Sequence, residues 1–306
     1  MKLSPAPFIW FNGELVPWDQ AQVHVLTHAL HYGSSVFEGL RAYSTARGVA
    51  VMGLELHAER LVNSCKIVHL PLRWNAAQVA DAIRSTVRAN KHSACYIRPL
   101  VFRGYGALGV WPEECPVDMA IATFTWERAM GDSALDKGID VGVSSWRRMA
   151  PDTLPAMAKS AGNYVNSALA VQEARRHGYT DAIVLDVDGF ASEGSGQNLF
   201  VVSDGKLYTP PVGASILPGI TRRSVIQLAA DLSLPLAEQR IPREMLYTAD
   251  EMFLSGTVAE ITPVKSVDGK AVGSGTRGPV TERIQRRFFS ILRGELDDRH
   301  GWLTLV

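Results

Sequence analysis

Two periods of apolar and polar positions run through this chain. Around Asn12-Gly13 the β-prone runs Phe8-Ile9-Trp10-Phe11 and Glu14-Leu15-Val16 flank a pair of residues that tolerate positive φ, which predicts a hairpin. Leu54, His57, Leu61, Cys65 and Val68 recur at spacings of three and four, which predicts a helix over 54–68. A second helix is expected over 76–90, and strands over 95–102 and 119–126. Residues 127–137 are charged, contain glycine and have little periodicity, so they are expected to connect two domains.

A strand over 141–145 opens the second half, followed by a helix over 163–176. Strands over 182–187 and 190–192 flank an Asp188-Gly189 turn. Val225, Leu228, Ala229 and Leu232 share one face of a helix over 219–232, and a last long helix is expected over 279–293. No repeat and no low-complexity segment is visible. Strands and helices alternate irregularly, with several hairpins, which favours α+β over one doubly wound sheet. The expected division is a domain over 1–126, a loop over 127–137 and a domain over 138–306.

Length agrees with that division, since 306 residues exceed one average domain. The apolar share of 46% and charged share of 20% are those of an ordinary globular protein. Lys plus Arg and Asp plus Glu number 31 each, so charge favours neither a nucleic acid nor an anionic membrane as partner. Cys65, Cys95 and Cys115 lack CxxC spacing and read as thiols of a reducing compartment, with no metal site. The first residues form no apolar leader and no stretch is apolar for long enough to span a bilayer, so a cytoplasmic location is expected.

The candidate chemistry lies in the second half. Lys159 is flanked by Ala156, Met157, Ala158, Ala161 and Gly162, small and apolar neighbours that would desolvate an amine and favour its free form. Glu193 follows a hairpin and precedes Gly194 and Gly196, where backbone can approach a ligand. Gly219-Ile220-Thr221 opens an amphipathic helix, whose first N–H groups attract an anion, and Ser255-Gly256-Thr257 is a second glycine turn. Alone, Lys159 reads as a surface lysine, Glu193 as a strand-end carboxylate, Gly219 as a plain helix start and Arg60 as a solvated helix residue. Together they are an amine, a carboxylate and a phosphate cradle, the requirements of pyridoxal 5'-phosphate.

Longer motifs make this specific. Glu193, Asn198-Leu199-Phe200, Leu207-x-Thr209 and Leu217-x-Gly219-Ile220-x-Arg222 resemble the signature of the class IV, or fold type IV, pyridoxal-phosphate aminotransferases. The whole chain is similar to branched-chain-amino-acid aminotransferases, including Val36-Phe37-Glu38-Gly39-Leu40-Arg41 and the run from Ser255 to Val264. The resemblance implies a two-domain α+β fold, with a smaller N-terminal α/β domain, a larger C-terminal mixed-sheet domain and the cofactor at their interface. It makes Lys159 the Schiff-base lysine and proton shuttle, and Glu193 the partner of the pyridine nitrogen. Tyr164 would meet the phenolic oxygen, Leu217 the ring, and Arg60, Ile220, Thr221 and Thr257 the phosphate, with Gly219 and Gly256 in the two backbone turns.

For substrates, the resemblance implies an apolar pocket of Tyr32, Phe37, Val110 and Trp126, with Gly39 leaving room. Without it, Phe37 and Trp126 would read equally well as core aromatics. Arg98 would take the side-chain carboxylate of glutamate, Tyr96 and the N–H groups near Thr257 and Val258 the α-carboxylate, and Arg41 the rim. The expected reaction joins Leu, Ile or Val and 2-oxoglutarate to the branched 2-oxo acids and L-glutamate, in a homodimer or larger homo-oligomer. Tyr32 and Val110 would reach the partner's site. Two positions depart from the family: Ala129 stands where relatives carry a tyrosine, and Gln197 where a glutamate is common. A D-amino-acid or (R)-amine transaminase, an aminodeoxychorismate lyase and a non-catalytic binding module are the alternatives. The missing histidine two residues after Arg98 speaks against the D-amino-acid type, and the intact Lys159 and Glu193 against the binding module.

Overall fold

Asn12 and Gly13 both take positive φ, 51° and 113°, and join Phe8–Phe11 to Glu14–Pro17 as a tight hairpin. The computed structural model describes residues 4–125 and 133–306. The chain divides into two compact units: Met1–Trp126 with Ala158–Gly162 and Ile291–Val306, and Glu127–Met157 with Asn163–Ser290.

In the first unit an eight-stranded sheet runs in the order Leu303–Leu305, Gly48–Met52, Leu40–Thr45, Cys95–Arg103, Val117–Phe124, Phe8–Phe11, Glu14–Pro17, with Ser35–Phe37 also paired to Cys95–Arg103. The helices Leu54–Ile67 and Ala76–Asn90 bury Leu54, Leu61, Val79, Ile83 and Val87 in one cluster with Ile97, Val101, Met119 and Ile121. Each such leucine or isoleucine contributes about 1.5–3 kcal/mol by leaving water. The second helix starts at a reciprocal cap, in which the Asn75 side chain accepts from Gln78 N and the Gln78 side chain from Asn75 N. It ends at Asn90, whose amide is spent on Phe8 and Thr123.

The second unit is built on a mixed ten-stranded sheet that closes on itself. Asn198–Ser203, Glu251–Gly256, Glu260–Val267, Ile139–Arg147, Asp181–Leu185 and Phe190–Gly194 pair in sequence, and Glu193 pairing with Asn198 completes a six-stranded barrel. Val141, Ile183, Leu185, Ala191, Leu199, Val201 and Leu254 fill it. The Tyr164–Arg176 helix packs Ala170 and Ala174 on the outside, against Ala182 and Val184. The Ile220–Asp231 helix contacts the Glu251–Gly256 strand.

Element type follows the sequence pattern closely, with ends shifted by a residue or two, as at 117–124 for the expected 119–126. Most of the expected connection, 127–132, lies outside the described residues, and Ala134–Lys137 forms a short helix. The sequence pattern assigns all of 138–306 to one domain. Two of its segments group with the first unit instead, because Ser160 bridges Val36 and Leu303–Leu305 pairs with Gly48–Met52. Among the described residues no helix is long and apolar enough to cross a membrane. Cys65, Cys95 and Cys115 are free and buried, and burial pushes the first two thiols up to about 12.

Candidate active site

Lys159 is pinned through its backbone. Its N–H donates to Ser64 Oγ at 3.0 Å and its carbonyl accepts from Phe37 N at 3.0 Å. The side chain then extends over Phe37, with Nζ 5.0 Å from the ring centroid. Arg98 lies near the same ring, its guanidinium carbon 4.8 Å from the centroid, so Phe37 gathers two cations. Arg98 also donates to Tyr96 Oη at 3.2 Å, while its buried Nε has no hydrogen-bond partner among the described residues. Gly39 is required here, since a Cβ would lie 1.9 Å from Tyr96 Oη. Arg41 is cross-strand from Tyr96, with its guanidinium 5.4 Å from the Tyr43 ring.

Behind Phe37 lies a cluster whose grouping the sequence does not announce. Glu38 is fully buried and accepts from Arg60 Nε at 2.6 Å, Arg60 Nη2 at 2.9 Å and His57 Nδ1 at 2.7 Å. Burial is the largest influence and opposes the Glu38 charge, but Arg60 and His57 together outweigh it and hold the carboxyl well below the usual carboxylate range. Burial also lowers His57, and the charges of Arg60 and Lys159 add to the lowering, against the pull of Glu38. A carboxylate only accepts, so His57 donates Nδ1–H to Glu38. The helical spacing counts His57 as a core position, which is true of its burial and silent about its bond.

Tyr32 and Val110 sit on the surface of the first unit, 46% and 90% exposed. His28 joins the segments that carry them: its Nε2 is 2.8 Å from Gly109 O and its ring is 4.4 Å from that of Tyr32. Trp126 and Ala129 lie outside the described residues.

In the second unit Glu193 owes its direction to a β-bulge. The register shifts between Ala191 and Glu193, so Ala191 faces the barrel core while Glu193 pairs with Val184 and Asn198, both turned outward. Without the extra residue the period of two would aim the carboxylate into the core. One oxygen takes Arg148 Nη2 at 2.8 Å; the other accepts from Leu217 N at 3.1 Å and Asn198 Nδ2 at 3.2 Å. Arg148 is invisible as a site residue in the sequence, being one arginine among many and 45 positions from Glu193 in a chain of 306.

Asn198 also donates to Leu217 O at 2.9 Å, and a Cβ at Gly219 would lie 2.0 Å from its Oδ1. Gly219 begins the Ile220–Asp231 helix, and no side chain caps it, which leaves the N–H groups around Ile220 and Thr221 for a ligand. Gly256, Thr257 and Val258 follow at the end of the Glu251–Gly256 strand, where the Ser255 hydroxyl is buried with no partner among the described residues. Tyr164 opens the Tyr164–Arg176 helix. Two further signature residues have supporting work: Arg222 donates to Thr209 Oγ1, Pro210 O and Glu238, tying the helix to the sheet.

The sequence pattern of the family described as Amino-transferase class IV matches residues 35–267. The chain is 52% identical over 307 aligned residues to the branched-chain-amino-acid aminotransferase of Salmonella typhimurium, covering 100% of this chain and 99% of that one. It is similar to the crystal structure of the Escherichia coli branched-chain amino acid aminotransferase, with a TM-score of 0.96, 52% identity and coverage of 97% and 98%. The branched-chain amino acid aminotransferase from Thermobaculum terrenum, in its PLP-bound holo-form, gives a TM-score of 0.92 at 33% identity, covering 98% of each chain.

Proposed function

The chain belongs to the amino-transferase class IV family, and from that premise we propose how its residues carry out the reaction. It is a pyridoxal-phosphate-dependent transaminase of branched-chain amino acids, passing the amino group of Leu, Ile or Val to 2-oxoglutarate. When bound, pyridoxal 5'-phosphate supplies the electron sink for the pair released from the substrate Cα–H bond.

The residues fit that group. The uncapped start of the Ile220–Asp231 helix suits a phosphate, the crowding at Gly219 lets backbone come close, and the unpartnered Ser255 hydroxyl leaves polar capacity beside Gly256. In our assignment Arg60, Ile220, Thr221 and Thr257 hold the phosphate, Leu217 packs on the ring and Tyr164 meets its phenolic oxygen. Glu193, held by Arg148, Asn198 and Leu217, would partner the ring nitrogen of the bound cofactor and favour its protonated form. Lys159 would hold the cofactor; once the substrate amine displaces it, its freed Nζ would take the proton from the substrate Cα and, as the acid, deliver it to the cofactor carbon.

For the substrate, Tyr96 and the N–H groups of Thr257 and Val258 take the α-carboxylate. In our assignment Phe37, with Tyr32 and Val110 from a second copy of the chain, takes the branched side chain, Gly39 gives room and Arg41 stands at the rim; Trp126, assigned to the same pocket, lies outside the described residues. Arg98 pairs with the distal carboxylate of glutamate, and with a leucine side chain present its charge rests on Phe37 and the Tyr96 hydroxyl. Tyr32, Val110 and Trp111, the last 72% exposed, form apolar surface suited to a second copy of the chain, so the enzyme is a homodimer or larger. Buried free thiols suit the reducing cytoplasm.

The observation that carries this reading is Lys159 fixed by Ser64 and Phe37, with its amine over the Phe37 ring. The test is amino transfer from L-leucine to 2-oxoglutarate by wild type and Lys159→Ala. The variant should keep its fold and lose activity by about 10³-fold or more. Retention of most activity would remove the lysine from its role.

A further inference from the structure

The turn that links Glu193 to Asn198 is anchored from the opposite face of the barrel. Asp181 shares a strand face with Ile183 and Leu185, and Gln197 directly precedes the strand that carries Leu199 and Val201. Those four apolar residues lie in the barrel core, so Asp181 and Gln197 meet at its end. Gln197 Nε2 donates to Asp181 Oδ2 at 2.9 Å, and Gln197 Oε1 accepts from Gly196 N at 3.2 Å. Gly194 N donates to Gln197 O at 2.7 Å, closing the turn.

Asp181 is 4% exposed. Burial raises its carboxyl, while Ser195, Ala182 N, Gln197 and the charge of Arg175 act the other way. Ala182 N donates at 2.7 Å, and the Ser195 hydroxyl is a further donor. Ala182 N and Gln197 Nε2 both donate to this carboxylate, one to each oxygen. The Gln197 stem also lies along Gly256, where a Cβ would be 3.7 Å from Gln197 Cβ and Cγ. One side chain therefore touches the turn after Glu193, the end of the barrel and the glycine before Thr257.

We propose that Asp181, acting through Gln197 and Ser195, is a positioning residue for Glu193. It locks the turn so that the Glu193 carboxylate stays on Arg148, Asn198 and Leu217 and faces the ring nitrogen of the cofactor. The proposal rests on the function assigned above. A polar pair that serves folding alone would leave the cofactor's own properties unchanged.

The polarity of the pair gives the test. In Asp181→Asn the new amide faces the Gln197 amide donor, and in Gln197→Glu two carboxylates face each other. The double variant Asp181→Asn/Gln197→Glu reverses donor and acceptor, and its new carboxylate can still accept from Gly196 N. Two quantities are measured on folded protein at several pH values: the dissociation constant of pyridoxal phosphate, and the pH at which the bound cofactor's visible band changes.

Each single variant should weaken cofactor binding by roughly tenfold, the scale of one buried hydrogen bond, and displace the band titration. The double variant should restore both to near wild type. Single variants that lose only thermal stability, with cofactor affinity and band titration unchanged, would overturn the proposal. If a single variant does not fold, the double variant decides, and a folded double variant with a displaced titration overturns it. Wild-type protein that takes up no pyridoxal phosphate would fail the assigned function instead.

Discussion

Glu38 grips Arg60 with both carboxylate oxygens, at 2.6 Å to Nε and 2.9 Å to Nη2, inside a site where it has no access to water. Removing one partner of such a pair leaves a buried charge uncompensated. Glu38→Ala should therefore cost about 3–5 kcal/mol of stability and loosen the cofactor phosphate from Arg60. Urea unfolding and cofactor titration check both parts; a variant as stable as wild type would show the pair to be inert.

The same cluster sets an acid limit. His57 is lowered on folding, so its contribution is present above the unfolded histidine value of about 6.5 and is lost as pH falls through its folded value. Glu38, also lowered, contributes above the ordinary carboxylate range and less below it. Stability should thus begin to fall below about pH 6.5 and fall faster below about pH 4. His57→Asn, measured by urea unfolding between pH 5 and pH 8 (a span of about three units around the histidine value), should flatten the first of these slopes.

Arg148 is the matching partner in the other unit. Arg148→Met would remove the guanidinium that pairs with the buried Glu193 carboxylate, at a cost of about 3–5 kcal/mol, and should reduce cofactor affinity as well. Calorimetry of the cofactor-free protein, together with a binding titration, reads the two effects separately. Unchanged affinity would detach Arg148 from the cofactor.

These residues also show where sequence reading stops. The hairpin at Asn12-Gly13 and the helices at Leu54–Ile67 and Ala76–Asn90 are local patterns, and local patterns are legible. Lys159, Glu193 and Gly219 stand in recognisable motifs. Arg148 and His57 reach their carboxylates through tertiary folding, 45 and 19 positions away in the numbering of the chain. The bulge before Glu193 is a register shift, which composition does not encode. Membership of Ala158–Gly162 in the first unit follows from long-range pairing with Val36 and Phe37.

Arg98 should separate the two substrate classes. Arg98→Met removes a charge-assisted contact that only glutamate and 2-oxoglutarate can use, so KM for 2-oxoglutarate should rise roughly 10- to 100-fold while KM for L-leucine changes little. Equal losses for both would place Arg98 in general support of the pocket.

Gly39 admits no side chain beside Tyr96. Gly39→Ala forces the buried Tyr96 ring aside and should cost about 1–3 kcal/mol, together with a loss of turnover on L-leucine. Thermal melting and steady-state kinetics check this, and normal values for both would mean that Tyr96 moves freely.

In the proposed function Lys159 and Glu193 serve one pyridoxal-phosphate cofactor in amino transfer from branched-chain amino acids. The direct measurement is the visible absorbance of purified protein, before and after L-leucine and then 2-oxoglutarate. A cofactor band should appear that bleaches with L-leucine and returns with 2-oxoglutarate, and that is altered in Lys159→Ala. No band after incubation with pyridoxal phosphate, or a band that ignores L-leucine and bleaches with D-alanine, would contradict it.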